Sequence, residues 1–232
     1  LEAGEPIYGY CSPEYVKDVG TVERVNQTLA DIERGVIAGK CLKNKQRCIF
    51  MDRDGTINQY KGLVYKGEDF TLEDCAVDAI RKINQSGRLG IVITNQPVVA
   101  RGLCEIEDVE NIHKKMETLL GKEGVFLDDV FYCPHHPDKG YPEENPAYKT
   151  PCECRKPKTG MIQKAAERYN IDLAGSWMIG DTTMDIQTGI NAGMRTALVQ
   201  TGEAGNDKKY DVKPDLVCRD LLDAVEKILQ VD

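Results

Sequence analysis

The stretch Cys48-Ile49-Phe50-Met51 is apolar throughout and stops abruptly at Asp52-Arg53-Asp54-Gly55-Thr56. A run of this length and composition reads as a short buried strand. Residues i and i+2 of a strand share a face. Asp52 and Asp54 can therefore both point into one crevice beyond the strand's carboxyl end, which is where open α/β sheets bind ligands. Two carboxylates this close repel each other, and a divalent cation such as Mg2+ would hold them. One could then attack phosphorus while the other manages protons. The competing reading is a surface turn with two solvated aspartates. The apolar run in front of it, and the polar strand ends farther along, count against that.

Further apolar runs at 89–93, 125–132, 176–180, 196–199 and 216–218 predict five more strands. Amphipathic spacing predicts helices over 74–86, 106–120, 159–169, 183–192 and 221–229. His113 falls outside the apolar stripe of its helix and is expected on the surface. Strands alternating with helices predict an α/β protein with a doubly wound, Rossmann-like, mostly parallel sheet and no large cap domain. Residues 57–70 read as a loop or hairpin flap over the Asp52 crevice. Ahead of the first strand, Val22, Val25, Leu29, Ile32 and Val36 mark one helix, with Thr21 as N-cap and Gly39 near its end. Residues 1–45 are thus expected to form a helical extension packed on the main domain, 46–232.

Several later strands also end in chemistry. Thr94-Asn95-Gln96 closes the second run, and the Thr94 hydroxyl suits a phosphoryl oxygen. Arg101, in Pro97-Val98-Val99-Ala100-Arg101-Gly102, can grip an anion or stand as an ordinary loop charge. Gly180-Asp181 ends the fourth run, with Asp185 four residues on. Cys133-Pro134-His135-His136 and Cys152-Glu153-Cys154 bracket a long polar loop. C-x-H with C-x-C supplies four ligands for a closed, structural tetrahedral Zn2+, with His135 or His136 as the imidazole. A loop this long needs some such reason to be ordered. Arg155 and Lys156 follow the last cysteine directly, and Lys158 is a further candidate cation. The other six of the nine cysteines read as small hydrophobes or incidental thiols.

Asp52-Arg53-Asp54-Gly55-Thr56, Thr94-Asn95-Gln96, Lys156 and Gly180-Asp181…Asp185 together resemble the four motifs of the haloacid-dehalogenase-like phosphatases. The zinc loop and "CRKP" narrow the resemblance to the heptose-bisphosphate and histidinol-phosphate phosphatase branch, over roughly residues 46–231. It implies phosphomonoester hydrolysis through an aspartyl-phosphate. In that scheme Asp52 is the nucleophile and Asp54 the general acid and base. Mg2+ is held by Asp52, Asp181 and the Asp54 carbonyl, with Asp185 orienting that shell. Thr94 and Lys156 stabilise developing charge, and Asn95, Arg101 and Arg155 bind substrate. The resemblance selects His135 over His136 for zinc, and Lys156 over Lys158. It implies a bisphosphorylated heptose as substrate, with histidinol phosphate as the runner-up. A zinc-pinned interaction domain that has lost catalysis is the non-enzymatic alternative, which the intact motif residues oppose.

A net charge of −8 and a pI near 5.1 argue against nucleic acid as a partner, although polynucleotide phosphatases share some of these motifs. No apolar run reaches membrane-spanning length and no secretory signal is visible, so a cytoplasmic protein is expected. The chain starts at Leu1, which suggests a fragment or a processed product. The segments Gly4–Tyr10 and Asp18–Arg24 resemble the end of a sugar-phosphate nucleotidyltransferase, implying fusion to or association with such an enzyme.

Overall fold

The computed structural model describes residues 12–138, 140 and 144–231. Two helices, α1 (Val22–Glu33) and α2 (Val36–Gly39), precede the sheet. Six strands follow: β1 (Cys48–Met51), β2 (Leu89–Asn95), β3 (Asp129–Cys133), β4 (Trp177–Gly180), β5 (Arg195–Val199) and β6 (Leu216–Cys218). Between and after them come α3 (Ala76–Gln85), α4 (Ile106–Lys122), α5 (Gly160–Tyr169), α6 (Thr183–Asn191) and α7 (Leu221–Val231). The strands form one sheet in the order β3-β2-β1-β4-β5-β6, and every pairing is parallel. The chain winds outward from β1 to β3, returns to the other side of β1, and winds outward again. The direction reverses between β1 and β4, so the crevice at their carboxyl ends is the expected ligand site of such a sheet.

The four side chains of β1 are entirely buried because they alternate between two cores. Ile49 and Met51 pack with Ile80 and Ile83 of α3 and Val225 and Ile228 of α7. Cys48 and Phe50 pack with Met161, Ile162 and Ala165 of α5. Each large apolar side chain buried this way contributes on the order of 1.5–3 kcal/mol. The strand that leads into Asp52 is therefore firmly held from both faces. The flap is also rooted: Ile57, Val64 and Phe70 are buried, and Asn58 bridges to both Asp54 and Leu72.

Three expectations are corrected. The third strand begins at Asp129 and not at 125, because Asp128 takes over the ladder at its start. Its backbone N–H donates to the Gly90 carbonyl, and its carboxylate accepts from the Gly90 N–H, both at 2.8 Å. His113 is buried and not on the surface: it faces the Arg53 side chain rather than the apolar stripe of α4. The N-terminal helix does not run unbroken to Val36. Gly35, at φ +73°, turns the chain in the left-handed region and separates α1 from α2.

The N-cap assignment stands, since the Thr21 side chain accepts from the Arg24 N–H. However, α1 buries no residue, and its apolar stripe lies in the open, with Leu29 and Ile32 more than half exposed. The extension is held instead at its end. There Val36 is buried and Lys40 pairs with Asp128 at 2.5 Å. Gly4–Tyr10 lies outside the described residues.

Candidate active site

Asp52 follows β1 directly, and its backbone N–H continues the ladder to the Ile179 carbonyl of β4 at 2.9 Å. Its Oδ1 accepts from the Arg53 N–H at 2.7 Å and meets the Lys156 ammonium at 2.9 Å. Lys156 also reaches Asp185 Oδ1 at 2.6 Å. Burial opposes the lysine's charge, but Asp185 and Asp52 outweigh it and hold the ammonium protonated. Asp52 is pushed up to about 6, chiefly by burial, with Lys156 pulling the other way.

Asp181 follows β4 as Asp52 follows β1. Ligand oxygens of Asp52, Asp181 and Asp185 lie within 4.8 Å of one another. Asp181 Oδ2 accepts from the Glu203 N–H at 2.7 Å, whereas its Oδ1 is buried without a hydrogen-bond partner. Burial, with the charges of Asp185 and Asp52, pushes Asp181 up to about 8. The backbone crowds this carboxylate from behind. A Cβ on Gly55 or Gly202, both at positive φ, would stand 2.4 and 2.1 Å from Asp181 Oδ2. Only glycine allows that approach. Asp185 is fully buried, and its other oxygen accepts from the Thr182 N–H and hydroxyl at the start of α6. That carboxylate is oriented by donors on both sides.

Around this cluster lies a cleft of about 330 Å³. It is lined by Asp54 and Thr94, by Tyr60 and Leu63 of the flap, and by Arg101 and Arg155. Tyr60 donates to Glu203 at 2.5 Å, joining the flap to the loop after β5. Thr94 Oγ1 accepts from Gln96 at 3.0 Å. Asn95 also lines the cleft. Its amide makes reciprocal bonds with the Lys156 backbone at 3.0 and 3.2 Å, so it braces the lysine. Lys158, the competing cation, pairs with Glu153 on the surface.

Cys133, His135, Cys152 and Cys154 converge behind the cleft. Their sulfurs are 3.1–3.5 Å apart, and His135 Nδ1 lies 3.4 Å from Cys154 and 3.7 Å from Cys133. Three thiols this close cannot all ionise without a cation, and burial already pushes Cys133 up. The set is compatible with a closed zinc site. His136 stands outside it, with its Nδ1 accepting from the Asp138 N–H. Arg155 donates to the His135 carbonyl at 3.1 Å, which ties the cleft wall to the cluster.

Reading the sequence missed Arg53, Asn58, Gln96 and Glu203. Two of them carried a signal: Arg53 as the residue between the two aspartates of the first motif, and Gln96 as the third residue of Thr94-Asn95-Gln96.

An open parallel sheet with a carboxylate–lysine cluster at its switch point is the arrangement expected of a haloacid-dehalogenase-like hydrolase. The comparisons with known proteins agree. The family model described as HAD-hyrolase-like matches residues 153–224. The chain is 37% identical over 182 residues to the D-glycero-beta-D-manno-heptose-1,7-bisphosphate 7-phosphatase of Haemophilus ducreyi, covering 78% of this chain and 97% of that protein. It is 40% identical to the enzyme of the same name from Escherichia coli K12, over 67% of this chain and 80% of that one. Among solved structures, the D,D-heptose 1,7-bisphosphate phosphatase from B. bronchiseptica, complexed with magnesium and phosphate, superposes with a TM-score of 0.70 at 34% identity. That match covers 81% of this chain and all of the other. The chain belongs to the haloacid-dehalogenase-like phosphatases, in their heptose-bisphosphate phosphatase branch.

Proposed function

We propose that this protein is a Mg2+-dependent phosphomonoester hydrolase acting through an aspartyl-phosphate, with D-glycero-D-manno-heptose 1,7-bisphosphate as substrate and the 7-phosphate as the group removed. One observation carries the mechanism: ligand oxygens of Asp52, Asp181 and Asp185 lie within 4.8 Å of one another, the Lys156 ammonium pairs with Asp52 and Asp185, and Asp181 Oδ1 is left buried and unpartnered. Such an oxygen suits a hard cation. Asp52 and Asp181 would hold Mg2+, with the Asp54 carbonyl, and it would neutralise phosphoryl charge. Asp52 attacks phosphorus with the carboxylate oxygen that Lys156 does not hold. Asp54 gives a proton to the leaving sugar oxygen, then takes one from the water that cleaves the aspartyl-phosphate. Thr94 and Lys156 offer donors to the transferring group. Arg101 and Arg155, on the cleft wall, suit the substrate's second phosphate. The names of the relatives support the sugar. Hydrolysis rates across phosphorylated heptoses, hexoses and histidinol phosphate test it, and a preference for histidinol phosphate overturns it.

Cys133, His135, Cys152 and Cys154 are taken to hold a structural Zn2+. Protein made with zinc present should retain about one zinc per chain by elemental analysis, and none would refute the set. Residues 1–45 are taken as an extension to a phosphatase domain over 46–232, a reading supported by its attachment through Val36 and Lys40. Three cysteines gathered beside His135 suit a metal in a reducing compartment, and the protein is taken as cytoplasmic on that ground. Among the described residues no helix is long and apolar enough to cross a membrane.

The acids of the cluster set a pH dependence. Asp52 and Asp181 have folded-state values raised to about 6 and about 8. An acid raised in this way binds its proton more tightly folded than unfolded. Its contribution is full below the unfolded value, near 3.8, and is lost as pH rises through the folded value. Metal-free protein should therefore lose thermal stability between pH 4 and 8. Mg2+ competes with these protons, so it should raise Tm more at pH 8 than at pH 5. Thermal melts with and without Mg2+ check this, and an equal shift at both pH values contradicts it.

A further inference from the structure

Arg53 sits between the two aspartates in sequence, and its side chain is fully buried. The chemistry proposed above gives it no task. Its Nη2 donates to both oxygens of Asp54 at 2.9 Å, and its Nε donates to Oδ1 at 3.2 Å. Nη2 also donates to Gln96 Oε1 at 3.1 Å. Gln96 in turn donates to Asp54 Oδ2 at 2.9 Å, and Asn58 donates to Oδ1 at 3.1 Å. Both oxygens of Asp54 are thus held from several directions. A guanidinium fork fixes the plane of a carboxylate as a lysine ammonium cannot.

The far side of the guanidinium meets His113 Nε2 at 3.2 Å. An imidazole in that position must present a lone pair. Burial, with the charge of Arg53 adding to it, pushes His113 down to about 3, so it remains a neutral acceptor at working pH. A buried guanidinium is costly unless its donors are matched, and here Asp54, Gln96 and His113 match them. The helix residue expected on the surface is buried because it completes this arrangement.

We propose that Arg53, backed by Gln96 and His113, is the positioning residue for Asp54, setting the carboxyl group's orientation toward the leaving oxygen without touching substrate. The proposal rests on the phosphatase reading. A plain structural role would lower stability and slow every substrate alike. A positioning role slows only the steps in which Asp54 moves a proton. In the first step the P–O bond to the leaving group breaks as phosphorus bonds to Asp52. A sugar alkoxide needs the Asp54 proton at that moment, whereas p-nitrophenolate leaves as the anion.

The test is single-turnover kinetics of Arg53→Lys and Arg53→Met on the best sugar phosphate and on p-nitrophenyl phosphate. For the sugar phosphate the rate should fall about 10²-fold with KM little changed. Release of nitrophenolate should change little. If Arg53→Met does not fold, the same ratio measured on Arg53→Lys decides. Equal losses on both substrates, or no loss on either, overturn the proposal. Wild-type protein that hydrolyses no phosphomonoester overturns the underlying reading instead.

Discussion

Asp52→Asn should reduce phosphate release to the background of the assay while leaving the fold intact. Only an ionised carboxylate can attack phosphorus, and no other acid at this cluster occupies the same place. Asp181 lies across the cluster against the Glu203 N–H, and Asp185 is committed to Lys156 and Thr182. Neither can turn to replace it. The fold should tolerate the change, because burial, with the charges of Asp185 and Asp54 adding to it, disfavours the charge that asparagine removes. The Lys156 ammonium keeps Asp185 as its partner. Circular dichroism and a melt establish the fold, and a phosphate-release assay measures the loss. A rate above about a hundredth of wild type would mean that the carboxylate acts only as a base or an electrostatic aid. Asp54→Asn gives the contrast, because losing acid–base help alone costs roughly 10²–10⁴-fold.

What was legible in the sequence was what sequence keeps contiguous. Strand, carboxylates and turn occupy Cys48 to Thr56 without interruption, so position and chemistry could be read together. The same holds for Cys152 to Lys156 and for Gly180 to Asp185. The contacts that were missed join residues distant in the chain. His113 is polar and off its helix's apolar stripe, and its burial depends on a guanidinium 60 residues earlier. Glu203 serves Asp181 through its backbone N–H, which its residue type does not signal. Val125-Phe126-Leu127 is apolar enough for a strand, which makes the expected third strand longer than the observed one. The ladder nevertheless starts only after Asp128, where Asp129 pairs with Ile91. In α1 the periodicity correctly marked a helix with one apolar side, but periodicity carries no information about what covers that side.

The zinc proposed for the cysteine cluster would take no part in the reaction, yet its loss should be felt there. Cys154→Ala should lose bound zinc, and kcat/KM on the best sugar phosphate should fall about 10²-fold, the scale of an ångström-sized misplacement of binding groups. The route is visible in the contacts. Arg155 follows Cys154 and donates to the His135 carbonyl, so two ligands of the cluster bracket the guanidinium. Asn145, within the same loop, donates its N–H to the Ala100 carbonyl beside Arg101. Freeing the loop therefore loosens both arginines of the cleft wall. Lys156 should suffer less, because the Asn95 amide holds its backbone independently at 3.0 and 3.2 Å. The loss should thus fall more on KM than on kcat, and more on a bisphosphate than on a substrate with a single phosphate. Added Mg2+ should restore nothing at the vacated cluster, since it prefers oxygen ligands to thiolates. Metal analysis, with kcat and KM on both kinds of substrate, measures all of this. A zinc-free Cys154→Ala protein with normal kcat/KM on a bisphosphate would show that the cleft wall stands without the metal. The positions of Arg101 and Arg155 would then have to be set by contacts other than the metal cluster, the β2 end and the Pro97–Gly102 turn among them.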